Sequence, residues 1–178
     1  QRQMCIRDRG WGYEVTLPSG FDYAEAEGPK HNWAYWAAKG VRLAQGGTPN
    51  GAEALEEATI LLPQGANGPA FLALPNHYVI RRYNNSVSYA LAIGLTADGI
   101  MGKPGLTKAW PNDPSMTRDQ RIGAQRALTQ LGYDTQGVDG VIGSNTRAAL
   151  RRWQIANNRI ADGYLTPALA DELIRRTN

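Results

Sequence analysis

Between residues 118 and 178 the chain is cut into three helix-length pieces by glycine-bearing turns, and that spacing leaves few folds open. The first piece, residues 118–131, carries Ile122, Ala124, Leu128 and Leu131 at intervals that put them on one helical stripe, and Gly132 is placed to stop it. The second opens near Ser144 or Asn145, either of which can cap a helix, and offers Ala149, Leu150, Trp153 and Ala156 as its core face. In the third, Thr166 followed by Pro167 reads as a cap and first turn, with Leu169, Leu173 and Ile174 as the apolar stripe. Asp139-Gly140 and Asp162-Gly163 precede the second and third pieces, and a glycine that accepts positive φ lets each turn fold back tightly. The expectation is a three-helix all-α domain containing an old internal repeat.

The remainder reads differently. Residues 101–117 hold three prolines and two glycines and read as a linker, while residues 11–100 mix strand-like and helical segments, an α+β pattern. Tyr13 to Leu17 alternates as a strand would, and residues 31–45 show Trp33, Trp36, Ala37, Val41 and Ala44 at helical spacing, which predicts one long helix ending at Gly46 and Gly47. Residues 58–62 and 70–74 are β-apt runs flanking a loop of turn formers, a hairpin. Asn76 is placed to cap a short helix reaching Tyr83, and Ser86 a longer one with Tyr89, Leu91, Ala92 and Leu95 on its apolar side.

Composition excludes several classes of function. No apolar run approaches the roughly 18 residues a membrane helix needs, the best candidates being broken by Pro63, Gly65 and Pro75. The net charge of +3 divides into +2 for residues 1–10, −2 for 11–116 and +3 for 117–178, too little for a dedicated nucleic-acid binder. Arg147, Arg151 and Arg152 lie along one helix without interleaved aromatic residues, so no nucleic-acid partner is expected. With one cysteine, Cys5, and two distant histidines, His31 and His77, no metal and no cofactor are expected. Gln1 to Arg9 shows no periodicity and reads as a translated sequencing scar, residues 1–10 standing outside the fold. This reading puts the true N-terminus, with any signal peptide or lipid anchor, outside the sequence, and membrane attachment would depend on such an anchor.

In the C-terminal part, Gln125 and Leu128, Leu131-Gly132-Tyr133, Val138-Asp139-Gly140, Gly143-Ser144-Asn145-Thr146, Leu150, Trp153-Gln154 and Asp162-Gly163-Tyr164-Leu165-Thr166 follow one recognisable order. As an ensemble they resemble the peptidoglycan-binding domain of bacterial wall enzymes. Core packing accounts for Leu128, Leu150 and Trp153, and turn geometry for the glycines, so contact with ligand falls to polar groups near the turns: Asn145, Gln154 and Tyr164. Upstream, Trp11-Gly12-Tyr13-Glu14-Val15, Leu61-Leu62-Pro63, Gly68-Pro69-Ala70-Phe71-Leu72, Tyr83-Asn84-x-Ser86 and Tyr89-Ala90-Leu91-Ala92 resemble the C-terminal half of the membrane-bound lytic transglycosylase B family. That resemblance implies an α+β lysozyme-like fragment over residues 11–100, and two resemblances meet on peptidoglycan glycan strands as partner, in the periplasm or cell envelope.

Enzymes of that family break the bond between N-acetylmuramic acid and N-acetylglucosamine by closing the muramoyl C6 hydroxyl onto C1. Because the nucleophile belongs to the substrate, one carboxyl group serves first as acid and then as base. The resemblance places that group in a Glu-Ser pair upstream of this half; no Glu-Ser pair occurs here, so the catalytic Glu is expected outside this sequence. Glu14, Glu25, Glu27, Glu53, Glu56 and Glu57 read as solvated-face residues. The resemblance puts Tyr83 and Asn84 on the substrate-binding wall, where a ring can face sugar C–H groups and an amide can pair with an N-acetyl group. The alternative is a non-catalytic peptidoglycan-binding protein.

Overall fold

A computed structural model describes residues 9–177, so the structure of residues 1–8, including Cys5 and most of the stretch read as a scar, lies outside the described residues. The described residues divide into two compact units, one of residues 9–63 and 67–110 and one of residues 64–66 and 111–177.

The first unit is built on four short antiparallel strands: β1 (Gly12–Thr16), β2 (Arg42–Leu43), β3 (Thr59–Leu61) and β4 (Ala70–Ala73). They lie in the order β2-β1-β4-β3, with Val15 opposite Leu43, Glu14 opposite Phe71 and Leu61 opposite Phe71. The expected hairpin is present as β3 and β4, both buried along their whole length, as continuous apolar runs require.

The long helix expected over residues 31–45 is instead a short one, α1 (Trp33–Ala38), followed by a strand. Asn32 caps its start by accepting from the Tyr35 amide at 3.2 Å. Its end is set by Gly40, whose φ of +90° turns the chain so that the Val41 amide donates back to the Trp36 carbonyl at 3.0 Å. The helical spacing of Val41 and Ala44 was coincidental, since Leu43 pairs with β1. Trp36 is fully buried and donates its indole N–H to the Ala58 carbonyl at 3.0 Å, joining α1 to the strand side of the core.

Two helices complete this unit, α2 (Pro75–Tyr83) and α3 (Val87–Ile100). Asn76 does not cap α2: Pro75 takes the first helical position, where its missing N–H costs nothing, and the Asn76 amide donates to the Arg9 carbonyl at 2.8 Å. Ser86 caps α3 as expected, its Oγ accepting from the Tyr89 amide at 3.2 Å. The buried side of α3 is Ala90, Leu91 and Gly94, with Ala92 exposed; Gly94 lies so near the Trp11 ring that a Cβ would meet it at 2.4 Å.

The Pro- and Gly-rich stretch expected as a linker begins by docking on the first unit. The Glu14 carboxylate accepts from the Thr107 and Lys108 amides at 2.7 and 2.9 Å, Gln45 donates to the Gly105 carbonyl at 3.1 Å, and Leu106 packs beside Leu91 and Phe71.

The second unit holds α4 (Arg118–Gln130), α5 (Ser144–Ala156) and α6 (Pro167–Arg175), closing on Ala124, Ala127, Leu128, Leu150, Trp153, Leu165, Ala170 and Leu173. Thr117 and Gln120 form a reciprocal capping box on α4, and Thr166 caps α6 through the Leu169 amide. Three details differ from the sequence reading. Gly143 precedes α5, so neither Ser144 nor Asn145 caps it; Ala156 faces solvent; and Leu131 lies past the last turn of α4, where Gly132 at φ +89° diverts the chain.

Candidate functional site

In the second unit two glutamines do the same work twice. On α4, the Gln125 Oε1 accepts from the Asp139 and Gly140 amides at 3.1 and 2.8 Å, while its Nε2 donates to Asp139 Oδ1, the Val141 carbonyl and Thr146 Oγ1. On α5, the Gln154 Oε1 accepts from the Gly163 amide at 2.8 Å and its Nε2 donates to Asp162 Oδ1 at 2.9 Å. Each aspartate also accepts from the amide two residues on, Val141 or Tyr164. Gly140 and Gly163 take φ of +79° and +67°, so both turns use the conformation that glycine alone adopts without strain. The repeat read from the two Asp-Gly pairs is therefore a repeated clamp. The Gln125 amide, followed by the Val141 N–H, holds the Asp139 carboxyl below its ordinary range.

This arrangement sorts the polar residues expected to meet ligand. Gln154 is buried, with both ends of its amide committed to the turn, and the Asp162 carboxylate to which it donates accepts in turn from the Tyr164 amide. The Tyr164 ring is half-buried and its hydroxyl pairs with Asp113; burial first, and Asp113 second, raise its pKa. Asn145 is exposed in the first turn of α5.

In the first unit Tyr83 and Asn84 stand together at the corner between α2 and α3. Tyr83 is 86% exposed, and Asn84 leaves the helix with its amide donating to the Ile80 carbonyl and its own carbonyl accepting from the Ser86 amide at 2.7 Å. Arg81 donates to Asn85 Oδ1 at 2.7 Å, and the Tyr89 ring lies 6.1 Å from that of Tyr83. The corner is thus fixed by backbone pairing and the Ser86 cap, while the Tyr83 ring projects outward.

A cleft of about 640 Å³ opens elsewhere in the same unit, among Trp11, Tyr13, Glu53, Phe71 and Asp98. Sequence reasoning missed it, because Glu53 is buried rather than solvated and accepts from the Gly10 amide and the Tyr13 hydroxyl. Burial, then the bond to Glu53, pushes Tyr13 up to about 12. Asp98 accepts from the Trp11 indole at 2.8 Å and pairs with Lys103 at 2.7 Å. No spacing in the sequence announces these pairs, which join residues 40 and 87 positions apart. Among the described residues no group of acidic, histidine or cysteine side chains is arranged to hold a metal ion, and no helix is long and apolar enough to cross a membrane.

The family model of the transglycosylase SLT domain matches residues 5–98, starting within the stretch read as a scar, and that of a peptidoglycan binding domain matches residues 117–173. None of the curated proteins matches the sequence. Two solved structures of SltB3 from Pseudomonas aeruginosa, one in complex with NAG-anhNAM-pentapeptide and one with NAG-NAM-pentapeptide, resemble this chain at 46% identity and a TM-score of 0.87. The match covers 93% of this chain and 45% of SltB3, so the chain spans less than half the length of that protein. With a lysozyme-like first unit and a helical second one, the chain belongs to the transglycosylase SLT domain family and carries a peptidoglycan-binding domain after it.

Proposed function

We propose that this chain is part of a lytic transglycosylase that cleaves the N-acetylmuramic acid to N-acetylglucosamine bond of peptidoglycan and leaves a 1,6-anhydromuramoyl end. The likeness to SltB3 over 93% of the chain carries this reading, because one of those structures holds an anhydromuramoyl ligand. In the reaction a carboxylic acid protonates the departing glycosidic oxygen as the C1–O bond breaks. The C6 hydroxyl then bonds to C1 and gives its proton to the carboxylate, which restores the acid. The family resemblance assigns that acid to a Glu-Ser pair upstream of the matched half, and no residue described above is given the role.

This chain's share is binding. The Tyr83 ring lies against the apolar face of a sugar, and Asn84 pairs with an N-acetyl group. In the second unit Asn145 and Tyr164 face the wall polymer, and Gln154 acts through the turn that presents Tyr164. Such work lies in the cell envelope. The test is to incubate the parent protein with purified sacculi and weigh the released muropeptides. Anhydro ends support the reading, reducing ends would make the enzyme a hydrolase, and binding without release would leave a non-catalytic wall-binding protein.

A further inference from the structure

His77 occupies an unusual place for an ionisable side chain. It is the third residue of α2 and fully buried, its ring 6.5 Å from that of Trp11 and 5.4 Å from that of Tyr78. Neither ring nitrogen has a hydrogen-bond partner. A neutral imidazole already loses water here; an imidazolium would carry two donors and a charge into the same space, which is far costlier. The charge acting on it is Arg81, one turn along the helix, and burial with that neighbour pulls its pKa down to about 4.

The surrounding elements offer little relief. α2 adds Arg82 and two tyrosines, the segment before α1 brings Lys30 to 4.4 Å from the Tyr78 ring, α3 adds Asp98 and Tyr89, and Arg9 lies ahead of β1, which carries Tyr13 and Glu14; β3 and β4 bring no ionisable group. Asp98 is engaged by the Trp11 indole and Lys103, and Glu14 by the Thr107 and Lys108 amides, so neither can serve as counter-ion without giving up those bonds. α2 is nine residues long, lacks a side-chain cap and ends in the exposed Tyr83, which makes it a natural unit of local opening.

We propose that His77 ties the Tyr83–Asn84 corner to pH: neutral, it seats α2 in the core; protonated, it releases the helix and the corner with it. The functional half of this statement rests on the glycan-wall reading above. Because the open form takes up the proton first, the closed helix is fully favoured above pH 6.5, the ordinary histidine value, and loses ground as the pH falls from there toward 4.

Amide hydrogen exchange on the 178-residue chain, corrected for the intrinsic effect of pH, tests it. Protection of α2 amides is expected to fall about fivefold between pH 6.5 and 5.5, and about fortyfold by pH 4.5. In His77→Phe it should stay level over that range. Equal losses in wild type and His77→Phe overturn the proposal. Should that variant fail to fold, the wild-type imidazole carbon shift decides: a ring that titrates near 6.5 while α2 stays protected also overturns it. Titration with an N-acetylglucosamine tetramer at pH 7 separately checks the glycan reading, since a chain that shows no shift at Tyr83 can still show the pH-driven opening.

Discussion

The α2–α3 corner of the first unit and the turns of the second use amide and aromatic side chains in opposite ways. In the second unit Gln125 and Gln154 are buried and each spans a glycine turn, so these polar groups are consumed in making the fold. At the corner, Tyr83 is almost wholly exposed on a backbone that other residues hold. A side chain with no internal task that is kept in a defined place is available for ligand. One committed at both ends is not.

Breaking the clamps should give the largest effects. Gln125→Ala strips two turn amides and three acceptors of their partner and is expected to destabilise the second unit by about 3 to 4 kcal/mol. Gln154→Ala removes fewer bonds and should cost about 2 kcal/mol. Urea unfolding followed by NMR, residue by residue, reads both, and the first unit should be unmoved by either change.

Acid should separate the two units next. His77 makes the first unit lose stability between pH 6.5 and about 4, since its folded pKa is depressed and the unfolded chain binds the proton first. Asp139 is a carboxylate with a depressed folded pKa, so its contribution is complete above 3.8 and lost only as the pH falls through its lower folded value. The expected order on acidification is therefore first unit before second, which NMR peak intensities at stepped pH will show.

A smaller effect belongs to the surface of the second unit. The guanidinium groups of Arg159 and Arg176 lie 5.1 and 5.2 Å from the centre of the Trp153 ring, and Glu172 pairs with both. Burial works against the Glu172 charge, but the two arginines more than offset it and its pKa is lowered. Glu172→Gln should cost about 0.5 to 1 kcal/mol at low salt and almost nothing at 1 M, because partly exposed pairs are screened. Comparing unfolding midpoints at the two salt concentrations measures this.

Much of this was legible in the sequence where a local rule decides the outcome. Caps at Thr166 and Ser86, stops at Gly132 and Gly40, and the two Asp-Gly turns are settled within a few residues, although Gly40 was passed over because Val41 and Ala44 kept a helical rhythm. The second unit was the easier to read for that reason. What stayed hidden depends on long-range pairing: the burial of Glu53 under Tyr13, the docking of residues 105–108 on Gln45 and Glu14, and the isolation of His77. Of the candidate site, Tyr83 and Asn84 are proposed through family likeness, while the committed state of Gln154 depends on a turn that only the folded chain brings to it.

The most direct test follows amide and side-chain shifts of the intact chain, at pH 7, during titration with an N-acetylglucosaminyl-anhydro-N-acetylmuramyl fragment. The account predicts saturable shifts at Tyr83 and Asn84, and for Tyr83→Ala about tenfold weaker binding at that corner with stability changed by less than about 0.5 kcal/mol. Shifts confined to residues 117–173, or binding at the corner that Tyr83→Ala leaves intact, would contradict it.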